Sequence, residues 1–249
     1  MKRETMYVIG RNAVREVLES GHEVEKLFVL NSGKDETIAS LIKSAKDRRI
    51  PVENRTREEL NKIRSGNHQG VIAACAGYGF VEVEDILDNA RARGEAPFIL
   101  ILESIQDPHN LGAIIRTAET AGVHGVIIGK NRAVGLTYAV AKTAAGALEY
   151  VPVAQVTNLV RTIDQLKKEG LWAVCADMGG EMIYDADLTG PIALVIGGEH
   201  EGIGRLVKEH CDRTVRLPMQ GHITSLNASV AAGISVYEIV RQRREAGNA

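Results

Sequence analysis

Three segments of the sequence place polar side chains directly after apolar runs. They carry, in chain order, Asn110 with Arg116, then Glu199, and finally Ser225 with Asn227. Taken singly, each has a structural explanation as a helix cap, a surface arginine or a solvated acid in a turn. Ligand sites of α/β proteins usually lie where strands end. We therefore expect the amide, hydroxyl, carboxylate and guanidinium groups of the three segments to converge on one ligand site.

The second segment is a glycine-rich turn, Gly197–Gly204, which follows a predicted buried strand and carries Glu199 and Glu201. Glycines let a ligand approach main-chain N–H and C=O groups, which suits an uncharged adenine or ribose as much as phosphate. The alternative is a plain strand-to-helix turn with solvated acids. We expect the turn to bind a ligand through its backbone.

The familiar cofactor and nucleophile motifs are absent from the sequence. Gly125–Asn131 is one residue short of a phosphate-binding P-loop, and Gly202–Val207 lacks the third glycine of the dinucleotide fingerprint. No serine-nucleophile elbow occurs, and His200-Glu201 lacks the second histidine of a zinc-protease motif. The seven histidines and three cysteines show no metal-ligand spacing. The sequence gives no support for ATP, NAD or a metal ion.

Composition predicts an ordinary globular protein. The 249 residues include 30 basic and 32 acidic side chains, a formal charge of -2, and hydrophobic residues make up 45%. These values exclude a disordered chain and a generally basic nucleic-acid-binding protein. No apolar run approaches the roughly 18 residues of a membrane helix, and no secretory apolar region follows Lys2 and Arg3. We predict a cytoplasmic protein without a membrane partner and with reduced cysteines.

Apolar periodicity divides the chain into two α/β units. Residues 1–77 form a small, net positive unit, 78–96 a helical or irregular connector outside the core, and 97–249 a unit with a parallel sheet. Asn110 is predicted as the N-cap of a helix that leaves Arg116 outside its apolar stripe. The predicted strands are Val24–Leu30, Gly70–Ala76, Phe98–Glu103, Gly125–Gly129, Leu171–Cys175 and Ile192–Ile196, and the predicted helices are Asp35–Arg49, Thr56–Arg64, Leu111–Ala121, Leu159–Lys168 and Leu226–Arg244.

In this order, the three segments resemble the motifs of the SpoU (TrmH-like) class of SPOUT RNA ribose methyltransferases. The pattern N-x-G-x-x-x-R begins at Asn110, G-x-E-x-x-G begins at Gly197, and L-P-M followed by S-L-N-x-S-V-A begins at Leu217. Near the start of the chain, Tyr7–Val14 and His68–Val71 look like the ribosomal-protein-like substrate-binding domain of this group. The resemblance is greatest to bacterial 23S ribosomal RNA guanosine 2′-O-methyltransferases.

The resemblance implies a trefoil-knotted α/β catalytic domain, S-adenosylmethionine as methyl donor, and a homodimer with each site near the interface. The adenosine part of the cofactor would be held by the main chain around Gly197, Leu217 and Leu226. The polar site would be formed by Asn110, Arg116, Glu199, Ser225 and Asn227. The sequence departs from the pattern of its relatives at Gly198 and His200, which flank the glutamate.

The implied reaction is a single displacement in which a ribose hydroxyl attacks the methyl group, so alignment is the main requirement. Arg116 cannot serve as a base, because a protonated guanidinium has no acceptor. We expect it to stabilise the developing alkoxide or bind a phosphate.

The first unit is expected to select the RNA by its shape and backbone, because aromatic residues make up only 4% of the chain. Transfer RNA, another ribosomal nucleotide, and a non-catalytic RNA-binding assembly factor remain the alternatives to a 23S guanosine. The candidate phosphate contacts are Arg11, Lys34, Lys43, Lys46, Arg48 and Arg49.

Overall fold

The computed structural model describes residues 5–20, 22–31, 35–199 and 201–247. The chain forms two compact units, Met1–Gly79 with Leu136–Tyr138, and Phe80–Gly135 with Ala139–Ala249. Both combine helices with a sheet, so the predicted α/β class is confirmed.

The first unit contains a four-stranded mixed sheet in the order β1-β4-β2-β3. Its central strand β4 runs antiparallel to both neighbours, whereas β2 and β3 are parallel. Predicted strand Val24–Leu30 is confirmed at both ends, and the predicted capping box of Thr56 and Glu59 begins α3. The elements are β1 (Thr5–Ile9), α1 (Arg11–Glu19), β2 (Val24–Leu30), α2 (Glu36–Asp47), β3 (Val52–Arg55), α3 (Arg57–Ile63) and β4 (Val71–Ala76).

The second unit is built on a six-stranded sheet in which every neighbouring pair is parallel. Predicted strands Phe98–Glu103 and Gly125–Gly129 and predicted helix Leu159–Lys168 are confirmed at both ends. The strands are β5 (Phe98–Glu103), β6 (Gly125–Gly129), β7 (Val153–Val156), β8 (Trp172–Met182), β9 (Ile192–Gly197) and β10 (Arg213–Arg216). The helices are α4 (Val83–Arg93), α5 (Pro108–Thr120), α6 (Tyr138–Ala144), α7 (Leu159–Lys168), α8 (Arg205–His210) and α9 (Ala228–Glu245).

Residues 78–96 do not form a connector outside the core. Their helix α4 buries Ile86, Leu87 and Ala90, and the first two belong to the apolar core of the second unit. The segment is part of that unit, because a spacer would leave those side chains in water. The alternation of acids with Arg91 and Arg93 marks only the solvent face of the helix.

The strand order β10-β8-β9-β5-β6-β7 places a reversal between β5 and β9. From β5 the chain adds β6 and β7 on one side, and then crosses to build β8, β9 and β10 on the other. In open parallel sheets such a reversal leaves a crevice at the carboxyl ends of the two strands. The crevice lies where Glu103 ends β5 and Gly197 ends β9. The trefoil knot stays a prediction, because strand order alone does not show whether one segment of the chain passes through a loop formed by another.

Within the described ranges, none of the helices combines the length and the apolar character needed to cross a bilayer.

Candidate active site

Three of the predicted polar residues meet at the crevice between β5 and β9. Glu199 Oε1 accepts a hydrogen bond from Asn110 Nδ2 at 2.9 Å and a second one from Asn227 Nδ2. The same Asn227 amide donates to Asn110 Oδ1 at 2.9 Å. The three motifs therefore form one closed hydrogen-bond network, although Asn110 and Glu199 are 89 positions apart in the chain.

The orientation of this network is set by the first turn of α9. Asn227 is the N-cap, and its Oδ1 accepts from the backbone N–H groups of Ser229 at 3.0 Å and Val230 at 3.3 Å. Because helix N–H groups can only donate, the Asn227 amide nitrogen must point away from the helix, toward Glu199. The sequence is consistent with either capping or ligand binding by Asn227, and the residue both caps α9 and joins the network.

Asn110 is not an N-cap, which corrects the prediction. Helix α5 begins at Pro108, and its cap is Asp107, whose side chain accepts from His109 N at 2.8 Å. An aspartate followed by proline at the first helical position is a stronger start signal than an asparagine two residues later. With its capping role removed, the buried Asn110 side chain is directed to Glu199.

Two glycines of the turn are needed for packing of the protein on itself. A Cβ at Gly197 would lie 2.3 Å from the carbonyl carbon of Gly202, and one at Gly198 would lie 2.3 Å from Ser104 O. Gly198 N donates to Glu103 O at 2.8 Å, and Gly202 N donates to Gly198 O at 2.9 Å. The space at these two positions is filled by backbone, so packing alone requires both glycines, and the expectation that the turn binds a ligand through its backbone stays a prediction. His200 lies outside the described residues.

A cavity of about 180 Å³ adjoins the network on the β8, β9 and β10 side. Gly197, Leu217, Ser225 and Leu226, all predicted site residues, line it. Other lining residues are mainly apolar, among them Ile196, Ile203, Val215 and Met219. In the part of the chain that the structure describes, the backbone N–H and C=O groups of Leu217 and Leu226 have no hydrogen-bond partner. An apolar slot with free main-chain donors and acceptors fits a planar heteroaromatic ring such as adenine.

One carboxylate in this cavity is held ionised. Asp177, the middle residue of β8, accepts a hydrogen bond from Lys208 Nζ at 2.7 Å. That bond lowers the pKa of Asp177 below its ordinary value, against the smaller effect of burial. Asp177 is thus an ionised carboxylate in the cavity wall whose charge is paired with that of Lys208.

A second, more polar cavity of about 550 Å³ opens on the β5 side of the network. It is lined by the loop between β5 and α5, including Gln106 and Asp107, and by Asn110. Gly198, Glu199 and Ala228 line both cavities. Glu199 therefore lies on the boundary between an apolar slot and a polar crevice, where two reactants would meet.

Arg116 does not join the network. It is exposed on α5, outside the buried stripe, as predicted. Six residues separate it from Asn110, which is roughly 9 Å along a helix axis. Between them, Gly112 lets α5 approach α6, since a Cβ there would lie 2.5 Å from Thr143 Cβ and 2.8 Å from Val140 O.

The predicted phosphate contacts of the first unit are not brought together. Arg11 lines a cavity of about 740 Å³ in that unit, with Arg15 and Arg57, two arginines that sequence analysis missed. Arg11 is also ion-paired with Asp35, the N-cap of α2. Lys34 lies outside the described residues. The remaining candidates are exposed near the other end of α2 and do not line the cavity: Lys43, Lys46, Arg48 and Arg49.

Groups of three or more metal-ligating side chains do not occur within residues 5–20, 22–31, 35–199 and 201–247.

Fold and site together define an α/β protein with a ligand crevice at the reversal of a parallel sheet. The profile of the SpoU rRNA Methylase family matches residues 97–237, and that of the RNA 2′-O ribose methyltransferase substrate binding domain matches residues 7–81. The chain belongs to the SpoU rRNA methylase family, and its class is that of the RNA methyltransferases.

Relatives of the same length support this membership. YacO of Bacillus subtilis, assigned to the TrmH family of tRNA/rRNA methyltransferases, is 46% identical to this chain. The alignment covers 99% of this chain and 100% of YacO. A TrmH family relative from Staphylococcus aureus is 41% identical over 98% of this chain and 99% of its own.

Solved structures share the fold. The SpoU methyltransferase AviRb from Streptomyces viridochromogenes, in complex with AdoMet, superposes with a TM-score of 0.65 at 24% identity, over 97% of this chain and 91% of its own. The TrmH/SpoU tRNA modifying enzyme of A. aeolicus gives a TM-score of 0.55 at 28% identity, over 66% of this chain and 85% of its own.

Proposed function

We propose that this protein transfers the methyl group of S-adenosylmethionine to the 2′-hydroxyl of a guanosine in 23S ribosomal RNA, in the cytoplasm. The observation that carries the proposal is the position of Glu199, whose side chain borders both the apolar slot and the polar crevice. A methyl donor in the slot and a ribose in the crevice would meet at this side chain.

The apolar slot is the proposed cofactor site. S-adenosylmethionine, when bound, supplies a methyl group on a positively charged sulfur. The free backbone groups of Leu217 and Leu226 would receive the adenine edge, and the ionised Asp177 would accept a hydrogen bond from the ligand with its remaining lone pairs. The structural likeness to an AdoMet-bound SpoU methyltransferase supports the assignment.

The network would orient the acceptor hydroxyl. Both amide donors bind Oε1 of Glu199, and Oε2 has no partner among the residues that the structure describes. A carboxylate only accepts, so Oε2 would accept the hydrogen of the ribose hydroxyl and fix the direction of its lone pairs. Asn110 and Asn227 act as positioning residues, because they hold the carboxylate and not the hydroxyl. Ser225, an exposed residue of the slot, would contact the donor.

We propose that two copies of the chain form a homodimer through the outer face of α9. Val230, Ile234 and Tyr237 repeat at helical spacing and are 47%, 39% and 49% exposed. Tyr237 also binds Thr120 of α5, one turn beyond Arg116 on the same helix face. A second copy docked on this face would pack beside Arg116. The Arg116 guanidinium would then be held against an RNA phosphate or the developing alkoxide.

Sedimentation velocity tests the dimer. We expect wild type to sediment as a dimer and Ile234→Glu as a monomer, because the new charge would lie in the apolar interface. Lys168→Glu, at an exposed position of α7, should leave the dimer intact. A wild-type monomer at micromolar concentration would contradict the proposal.

Recognition of the RNA is assigned to the first unit. Its cavity of about 740 Å³ carries the guanidinium groups of Arg11, Arg15 and Arg57, together with the amides of Asn61 and Asn67. Guanidinium and amide groups bind phosphate oxygens and the edges of unstacked bases. Ribosomal RNA is favoured because the profile of a substrate-binding domain covers this unit, whereas the tRNA modifying neighbour spans only 66% of the chain.

Mass-spectrometric mapping of ribose methylation in cells with and without the protein tests the function. We expect the loss of one 2′-O-methylguanosine from 23S RNA, restored by wild type but not by Glu199→Gln or Arg116→Ala. A missing methyl in transfer RNA would transfer the assignment to that substrate. An unchanged methylation map in all RNA would favour a non-catalytic assembly factor.

A further inference from the structure

A third cavity of the second unit has no part in the proposed reaction. It has a volume of about 540 Å³, which lies in the range of roughly 300–1,000 Å³ for sites that hold small organic ligands. It lies at the carboxyl ends of β5, β6 and β7, between Glu103, the loop Gly129–Arg132 and the start of α7. Ser104 and Glu201 line both this cavity and the polar crevice of the active site. The two cavities are therefore neighbours along the same edge of the sheet.

The charges that line this cavity are not equivalent. Arg132 and its partner Glu201, with Nη1 and Oε2 3.2 Å apart, both line the cavity, so this pair adds no net charge to it. Lys130 has no ion-pair partner in the described part of the chain, and Arg205 makes only an exposed pair with Glu209 one helical turn away. Exposed pairs of this kind stabilise a protein little and are readily exchanged. Two cations, Lys130 just after β6 and Arg205 at the start of α8, are thus available to an anion.

The wall of the cavity also offers a hydrogen-bond acceptor. Glu103, the last residue of β5, accepts from Gly204 N at 2.9 Å and retains further lone pairs. Burial raises the pKa of Glu103 above its ordinary value, and the bond from Gly204 opposes this. A free phosphate would be repelled by this carboxylate, whereas a ligand with an anion at one end and N–H donors at the other would satisfy both parts.

We propose that this cavity is the subsite for the RNA nucleotide that adjoins the methylated one. Its phosphate binds Lys130 and Arg205, and its base donates an exocyclic amino N–H to Glu103. The proposal rests on the proposed function, because the neighbouring crevice must hold the ribose that is methylated. A single strand that leaves the crevice past Ser104 and Glu201 enters this cavity next.

Steady-state methyl transfer tests the phosphate contacts. The substrate is ribosomal RNA from cells that lack the protein, and the donor is tritium-labelled S-adenosylmethionine. Lys130→Gln and Arg205→Gln should each raise KM for RNA about three- to tenfold, and reduce the salt slope of RNA binding by about one, with kcat and KM for the donor unchanged. The control Lys168→Gln removes an exposed cation that does not line the cavity.

A second assay tests the base contact. Glu103→Gln keeps an acceptor for Gly204 N but removes the charge and adds a donor. On short RNAs that contain the mapped target, wild type should favour a neighbouring base with an amino group over uridine about tenfold, and Glu103→Gln should lose this preference.

Each outcome of the two assays has one meaning. If KM stays at the wild-type value in both cation variants, or if the preference for the neighbouring base survives in Glu103→Gln, the subsite is refuted while the methyltransferase function stands. If the wild-type protein transfers no methyl group to any RNA, the proposed function fails, and the subsite fails with it.

Discussion

The network of Asn110, Glu199 and Asn227 makes a quantitative prediction for position 227. The variant Asn227→Asp keeps an oxygen that caps α9, but it replaces the amide that donates to Glu199 with a second carboxylate. The variant Asn227→Ser also caps a helix well, loses the same donor and adds no charge. The difference between the two variants therefore isolates the repulsion between the introduced carboxylate and Glu199.

The size of this repulsion follows from the geometry. Two unit charges 4 Å apart interact by about 1 kcal/mol in water and by about 4 kcal/mol near a protein surface of lower effective dielectric constant. Both side chains are exposed, which favours the lower end, about 1–2 kcal/mol. The helix dipole stabilises a negative charge at the N-terminus of α9 by about 0.3–1 kcal/mol, which offsets part of the repulsion. We expect Asn227→Asp to be about 1 kcal/mol less stable than Asn227→Ser at pH 7.5.

This difference should depend on pH with a definite sign. The introduced carboxyl holds its proton more tightly in the folded protein than in the unfolded chain, where an aspartate has a pKa of about 3.9. The folded state binds more protons, so its stability rises as pH falls. Urea unfolding followed by circular dichroism should show the full difference above about pH 6 and a much smaller one near pH 4.5. An equal difference at both pH values would refute the placement of Glu199 beside Asn227.

Three further predictions concern the scaffold of the second unit. Arg243→Ala should lower the free energy of unfolding by about 3 kcal/mol or more, because Arg243 is buried and donates to three backbone carbonyls. In the same urea titration, Arg244→Ala, at an exposed position, should change that free energy by less than about 0.5 kcal/mol. Burial lowers the pKa of His124, so the stability that this neutral histidine contributes should be lost below about pH 6.5, at up to about 1.4 kcal/mol per pH unit. In a series of unfolding curves recorded at different pH values, His124→Asn should remove that slope. Gly198→Ala should abolish methyl transfer in the tritium assay because its Cβ would clash with Ser104 O, whereas the unobstructed Gly135→Ala should retain activity.

Elements with a strong local signal were predictable from the sequence. The continuous apolar run of Phe98–Glu103 reads as a buried parallel strand, and it is one. The capping box at Thr56 and the cap at Asn227 were readable because capping depends on residues within one turn. The start of α5 carries an equally local signal in Asp107-Pro108, so the wrong prediction of Asn110 as its cap does not reflect a lack of sequence information.

Elements that depend on pairing were not predictable. Strand β3 (Val52–Arg55) has the sequence Val-Glu-Asn-Arg and pairs on one side only, with β2, so its own residues carry little strand signal. Strand β7 is four residues long and lies at the sheet edge. Lys130 directly follows β6, whereas Arg205 begins α8 after β9, and only the strand order brings the two cations to one cavity.

The active site is held mainly by backbone, which explains why so few side chains remain free in it. Gly198 N joins the end of β9 to the end of β5, and Gly202 N closes the turn that carries Glu199. Asn227 Oδ1 is occupied by the first turn of α9, which leaves its amide one possible direction. Within the described residues, Glu199 Oε2 is the one side-chain oxygen of the network that accepts no hydrogen bond. The proposed displacement depends on alignment, and a fixed acceptor between the two cavities would supply that alignment.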